Sequence, residues 1–493
     1  MRSSGILLPV FSLPNKYGIG TFGKEAYDFI DFLTLAKQKY WQVLPLGPTS
    51  FGDSPYQSFC AFAGNPYFID FDMLQEEGLL KEADFNFLNT KESKINYVHL
   101  YNTRFNILKI AYLSFVPDEK YFSYLEKNDY WLNDYALFMS LKTKHSGASW
   151  DVWEDKYRIY NKEELNKYYK QNKKEVDFWK FVQYIFDCQW QLLKDYANEH
   201  EVQIIGDIPI YVAYDSSDVW ANSNLFELDK DLKPVNVAGC PPDAFSENGQ
   251  LWGNPLYNYD LMKKDNYSWW VRRLKRACEL YDVVRIDHFR GFEAYFSIPA
   301  KDTNAKGGKW KKGPGFNLFK AINTELPNAR IIAEDLGFLT EKVHKLLKKT
   351  GYPGMKVLEF AFDPNGDSAY LPHNHIKNCV VYTGTHDNMP LRTWFEELNE
   401  VEKHFIREYL KLTDDSKICD QMVRTALESV ADLTIIPLQD YLGLDSHSRI
   451  NTPSTSTDNW TYRIKKEYLS KELALYIAFL TNLYRRCNIE IKE

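Results

Sequence analysis

Apolar and polar positions along this chain change period several times, and each change marks an element. Near the start, the apolar runs Ile6–Val10 and Trp41–Leu46 flank a segment in which Ala26, Phe29, Ile30 and Leu33 recur at i, i+3, i+4 and i+7. That spacing puts four side chains on one helical face, so residues 1–75 predict a β–α–β start. From about residue 76 to 180 strand-like runs vanish. Gly is absent between Gly78 and Gly147, and Tyr135, Leu137, Phe138 and Leu141 keep helical spacing. This stretch predicts a helical insertion subdomain over 76–180. Val202–Ile205 return to strand character. Residues 213–260 are then rich in turn formers (Asp215-Ser216-Ser217, Gly239-Cys240-Pro241-Pro242-Asp243) and predict a loop-rich insertion over the active site. Beyond Trp270 strand and helix alternate through Val357–Phe362 and Leu433–Pro437 to a helix around Leu473–Leu483. With no repeat, low-complexity tract or linker, residues 1–493 read as a single elaborated α/β domain.

Four of the apolar runs end in a carboxylate. Val202–Ile205 lead to Asp207, Val283–Val284 to Asp287, Ile331–Ala333 to Glu334 and Val380–Tyr382 to Asp387. The intervals between these carboxylates are 80, 47 and 53 residues. A βα unit takes upwards of about 30 residues, so the intervals fit strands of one (β/α)8 TIM barrel carrying insertions. In such a barrel the C-terminal ends of the strands converge on one pocket. A single Asp after a strand is more often a helix cap or turn residue. Four in order, two of them beside His288 and His386, point to a shared site.

Composition narrows the class. The formal charge of −7, from 60 basic and 67 acidic residues, gives no footprint for nucleic acid or an anionic membrane. Seven scattered Cys without a Cys-x-x-Cys argue against a disulfide framework or a zinc site and for a reducing compartment. No apolar stretch reaches the length of a membrane span, and Ile6–Phe11 is too short for a signal segment. A soluble cytoplasmic protein is expected. Aromatic residues make up 16%, which serves a core but also the apolar C–H faces of sugars.

One motif misleads. Gly18-Ile19-Gly20-Thr21-Phe22-Gly23 satisfies the dinucleotide-binding pattern. The residues before it, Leu13–Tyr17, form a turn, and the next strand ends in Pro45-Leu46-Gly47 with no carboxylate for a ribose. The glycines read instead as a loop leading into a helix.

The carboxylates suit acetal chemistry, which needs an acid to protonate the leaving oxygen and a second carboxylate to meet the oxocarbenium-like centre. Arg285 lies two residues before Asp287, on the same side of a strand, and a fixed cation there favours an ionised nucleophile. The same pair also fits a structural ion pair at a strand end. Burial behind Ile331–Ala333 would raise the Glu334 pKa towards that of a usable acid.

Several segments carry a more specific signal. They include Ser4–Pro9 with Ser12-Leu13-Pro14, Asp53–Ser58, Asp215–Trp220, Pro241-Pro242-Asp243 with Gly249–Pro255, and Arg285-Ile286-Asp287-His288-Phe289-Arg290-Gly291. Gly313-Pro314-Gly315, Ala333–Gly337, His386-Asp387-Asn388 and Asn451-Thr452-Pro453 complete the set. Through these the chain resembles the 4-α-glucanotransferases (amylomaltases) of glycoside hydrolase family 77, within the α-amylase clan. The resemblance implies a retaining double displacement, with Asp287 as nucleophile, Glu334 as acid/base and Asp387 gripping the donor sugar. It implies substrate contacts by Tyr56, Asp207, Trp252, Arg285, His288 and His386. It implies no cofactor and no metal, and substrates that are α-1,4-glucans and maltooligosaccharides with glucose as an acceptor. Two positions depart from the family pattern: Ala244, where many relatives carry an aromatic, and Ser454, where Gly is usual. The rival readings are an α-glucan hydrolase using water, a nicotinamide oxidoreductase resting on Gly18–Gly23, and a non-catalytic glycan-binding protein.

Overall fold

The computed structural model describes residues 2–88, 93–242, 247–337, 339–455 and 457–487, apart from the side chain of Phe51. Asp243 and Ala244, singled out above, fall outside the described residues.

Twelve strands are described: β1 (Ser3–Leu7), β2 (Tyr40–Gln42), β3 (Gln203–Ile208), β4 (Asn236–Cys240), β5 (Gln250–Pro255), β6 (Val283–Ile286), β7 (Ala294–Pro299), β8 (Lys309–Lys312), β9 (Ile331–Ala333), β10 (Gly354–Val357), β11 (Cys379–Tyr382) and β12 (Leu433–Pro437). Eight of them form a parallel sheet in the order β10-β11-β12-β1-β2-β3-β6-β9. The sheet closes on itself between β9 and β10. The Ala333 N–H donates to the Pro353 carbonyl (2.9 Å), and the Met355 N–H donates to the Asp335 carboxylate (2.6 Å). These bonds bring the two end strands of the sheet together, and the result is the (β/α)8 barrel.

The barrel strands are short and buried on both faces, as parallel strands under helices must be. Gly206 lies mid-strand in β3 for a steric reason: a Cβ there would come within 2.1 Å of the Tyr281 ring. The opening helix runs over Lys24–Leu35 and buries Ala26, Phe29, Ile30 and Leu33, the face given by the spacing. The first strand sits earlier than its apolar run. It ends at Leu7 because Pro9 has no N–H for the ladder, and Val10–Ser12 form a 3-10 turn. Val357–Phe362 likewise divides into the end of β10 and a 3-10 turn, Leu358–Phe360.

Between β2 and β3 the chain is helical, with Tyr97–Ser114, Glu119–Lys127, Asp129–Lys144, Lys162–Gln171 and Lys173–Glu199. The last helix leads straight into β3. Residues 213–260, read as loop-rich, hold two strands. β4 and β5 pair with β7 and β8 in a four-stranded antiparallel sheet, order β5-β4-β7-β8. β4 and β5 pair with each other across a bulge, and only the partner on the other side of β4, β7, lies beyond residue 290. The turn formers around the two short strands masked their signal. No described helix is long and apolar enough to cross a membrane.

Candidate active site

The register of the barrel decides which side chains meet. Asp207 on β3 is paired with Arg285 on β6, and Ile286 with Ala333 on β9. Asp287 and Glu334 therefore leave neighbouring strands at the same level. Both remain tied to the ladder: the Asp287 N–H donates to the Ile208 carbonyl and the Glu334 N–H to the Ile286 carbonyl, each at 3.0 Å.

Arg285 and Asp207 form the floor. The Arg285 Nη1 donates to Asp207 Oδ2 at 2.5 Å and to Asp287 Oδ1 at 3.1 Å, while Nε reaches Met355 Sδ at 3.4 Å. The Tyr56 hydroxyl donates to the same Asp207 Oδ2 at 2.7 Å. The Asp207 side chain is 0% exposed and Arg285 4%, against 31% for Asp287 and 45% for Asp387. Asp207, expected to contact substrate, lies beneath the more exposed carboxylates. The strand alternation turns it into the barrel, where it fixes Tyr56 and Arg285. The guanidinium is not reserved for Asp287 either, since its shorter bond goes to Asp207.

Glu334 is held by two backbone donors. The His288 N–H reaches Oε2 at 2.6 Å and the Leu336 N–H reaches Oε1 at 2.7 Å. His288 adopts φ 50°, in the left-handed region, at the start of the 3-10 turn Phe289–Phe292. Such a conformation in a non-glycine residue persists where the surroundings hold it, as the bond to Glu334 does here. Trp252, from β5, stands edge-on to the His288 ring at 5.0 Å, so the antiparallel sheet reaches the site. On the far side the Tyr56 ring stacks on His386 at 5.2 Å, with Trp460 5.8 Å from Tyr56 and 6.1 Å from His386.

Asp387 lies five residues past β11, in a turn. Its Oδ1 accepts the Asn451 side-chain amide at 2.6 Å and is 3.5 Å from His386 Nε2, and its backbone carbonyl accepts Arg449 Nη2 at 2.8 Å. Asn451, Arg449 and Trp460 come from the segment after β12. Asn451 belongs to a motif the sequence reading picked out without a role, whereas Arg449 and Trp460 carried no local signal. Ser454 in that segment has φ 65°. This is a conformation glycine adopts freely, so the departure from Gly costs about 1 kcal/mol of backbone strain there.

Burial pushes the Asp287 carboxyl well above the ordinary carboxylate range. Arg285 pulls it back, while Glu334, Asp207 and Asp387 push it further up. Burial also raises Glu334, against Arg285 and the two backbone donors. Carboxyls arranged in this way do not both ionise freely, which is the condition for one to carry a proton while the other stays charged. Burial, followed by the Arg290 charge, lowers His288 to about 3. Burial lowers His386 as well, so both imidazoles are neutral near pH 7. Burial and Asp207 keep Tyr56 a phenol, fit to donate. The site thus offers a carboxyl pair at adjacent strand ends, a third and more exposed carboxylate, two neutral imidazoles and aromatic walls. That set can protonate, attack and hold a hydroxyl-rich acetal.

Comparison with known proteins agrees. A family model described as 4-alpha-glucanotransferase matches residues 8–469. The chain is 51% identical to a 4-alpha-glucanotransferase of Clostridium butyricum over 97% of this chain and 99% of that protein. It is 45% identical to one from Streptococcus pneumoniae over 99% and 98%. Among solved structures, the amylomaltase from Streptococcus agalactiae in complex with acarbose superposes with a TM-score of 0.96 at 40% identity, covering 99% of this chain and all of that one. An amylomaltase from Corynebacterium glutamicum, 18% identical over 97% of this chain and 75% of that one, shares the fold with a TM-score of 0.80.

Proposed function

The chain belongs to the 4-alpha-glucanotransferase family, so its reaction is transfer of α-1,4-glucan segments, and we propose a retaining double displacement carried by Asp287, Glu334 and Asp387. The supporting observation is the placement of Asp287 and Glu334 at the ends of paired strands, with the His288 N–H bonded to Glu334. In the first half-reaction an Asp287 oxygen attacks the anomeric carbon. The glycosidic C–O bond breaks, and Glu334 gives its proton to the departing 4-oxygen. The enzyme then holds a glucosyl ester on Asp287 and an ionised Glu334. In the second half the 4-hydroxyl of an incoming glucan attacks the same carbon, Glu334 takes its proton and the ester bond breaks. Two inversions retain the configuration. Asp387 grips hydroxyls of the donor sugar, a contact that strengthens as the ring flattens.

Arg285, fixed by Asp207, balances charge at Asp287 as the ester forms and breaks. Tyr56 and Trp252 offer faces to sugar rings, and neutral His288 and His386 exchange hydrogen bonds with hydroxyls. Donors are maltooligosaccharides and longer glucans, glucose serves as an acceptor, and the enzyme works in the cytoplasm without metal or cofactor. Residues 213–260, with the sheet they help build, cover the intermediate and disfavour water.

Maltotriose tests this reading. Transfer gives glucose and a ladder of longer maltooligosaccharides with little rise in reducing ends. Products limited to maltose and glucose, with reducing ends rising in step, would favour a hydrolase. For the roles, Glu334→Gln with a donor bearing a good leaving group accumulates a glucosyl adduct on Asp287, read by mass spectrometry. An adduct on Asp387 instead would show the roles to be misassigned.

A further inference from the structure

Glu359 has no part in the mechanism above, yet it is a carboxyl group bound into the turn that carries Asp387. It lies in the 3-10 turn Leu358–Phe360 directly after β10 and is 9% exposed. Its Oε2 accepts the Asn388 side-chain amide at 3.0 Å, and its backbone N–H donates to the Thr383 carbonyl at 3.2 Å. Its Oε1 is buried and has no hydrogen-bond partner among the described residues. A Cβ on Gly384 would come within 2.5 Å of that oxygen, so only glycine lets the Asp387 segment approach so closely.

Asn388 passes the contact on. Its Oδ1 accepts both the Thr385 N–H (2.9 Å) and the Thr385 hydroxyl (2.8 Å), and Thr385 Oγ1 in turn accepts the Asp387 N–H at 3.3 Å. A continuous chain of bonds thus runs from β10 to the Asp387 backbone. Arg449 and Asn451 hold the same residue from the β12 side.

We propose that Glu359 is a positioning residue for Asp387: by holding the Asn388 amide it fixes the turn that aims the Asp387 carboxylate at the donor sugar. The inference rests on the reading of Asp387 given above. The chemistry of the contact suits a neutral acid. Burial and the nearby Asp440 push Glu359 well above the carboxylate range, leaving a carbonyl oxygen to accept from Asn388. A glutamine can do the same, so Glu359→Gln preserves the contact. Glu359→Met keeps the length and removes the acceptor.

Each substitution is measured alone and in an Asp387→Ala background, with an α-maltosyl fluoride donor so that rates stay readable. Glu359→Gln is expected within about twofold of the parent, and Glu359→Met is expected to lower kcat by about tenfold, the scale of a small misplacement at a reacting centre. KM should change less than about threefold, because the contact matters chiefly in the transition state. In the Asp387→Ala background Glu359→Met should lower kcat no further, as expected of residues acting through one group. Asn388→Ala removes the same bond from the other side and should reproduce the loss, which keeps the test open if Glu359→Met does not fold. An unchanged kcat in Glu359→Met, or an equal loss in both backgrounds, would overturn the inference. Full activity in Asp387→Ala would overturn the reading beneath it, a separate result.

Discussion

Asp207→Asn tests the floor of the site most directly. The substitution keeps shape but removes a negative charge that is 0% exposed and that accepts Arg285 Nη1 and the Tyr56 hydroxyl. Arg285 is left with Asp287 as its anion at 3.1 Å. Breaking a buried ion pair by removing one partner costs about 3–5 kcal/mol. Because Asp287 still offsets the guanidinium, a loss near about 3 kcal/mol is expected, read as a lower urea midpoint at unchanged slope. The second effect is on catalysis. Asp207 raises the Asp287 pKa and Arg285 lowers it. Removing Asp207 deletes the first influence and turns the guanidinium wholly to Asp287, so both changes lower that pKa. In the proposed mechanism Asp287 acts ionised, and the acid limb of kcat/KM for maltotriose should therefore move to lower pH, by about one unit. A limb that stays in place, or moves to higher pH, would refute the idea that Asp207 and Asp287 share one cation.

Tyr56→Phe removes one of the two donors to Asp207 and leaves the ring stacked on His386. It should cost about 1.5–3 kcal/mol in urea unfolding, the scale of a hydrogen bond to a charged group, and a stability equal to the parent would count against the bond. Burial raises Asp440 to about 6, above its unfolded value of about 4, so the folded state holds the extra proton in between. Its contribution to stability is therefore full below about pH 4 and is lost as pH rises through about 6. Asp440→Asn should flatten that part of the stability profile, and an unchanged slope would refute the assignment. In Gly206→Ala the new Cβ meets the Tyr281 ring, for an overpacking cost near about 3 kcal/mol. Tyr281→Leu in that background should restore part of the lost melting temperature, and no recovery would place the strain elsewhere.

Much of this protein was legible along the chain. The 3.6-residue spacing of Ala26, Phe29, Ile30 and Leu33 gave the first helix its buried face, because a helix face is a local property. Apolar runs ending in Asp207, Asp287, Glu334 and Asp387 gave a barrel with carboxylates at its strand ends, since each run and its end lie within a few residues. The same rule also fits Glu359 after β10 and Asp440 after β12, and the sequence alone offered no way to rank them. Closure and register decided that. They sank Asp207 under Arg285, set Asp287 and Glu334 level on paired strands, and put Glu359 behind the Asp387 turn. The pairing of β4 with β7, and the grip of Arg449, Asn451 and Trp460 on the site, join residues from 57 to more than 400 positions apart. No window of sequence holds both partners of such a contact. Whether a carboxylate touches substrate or supports the residue that does depends on which neighbours surround it and how much water reaches it, and only the folded chain sets both.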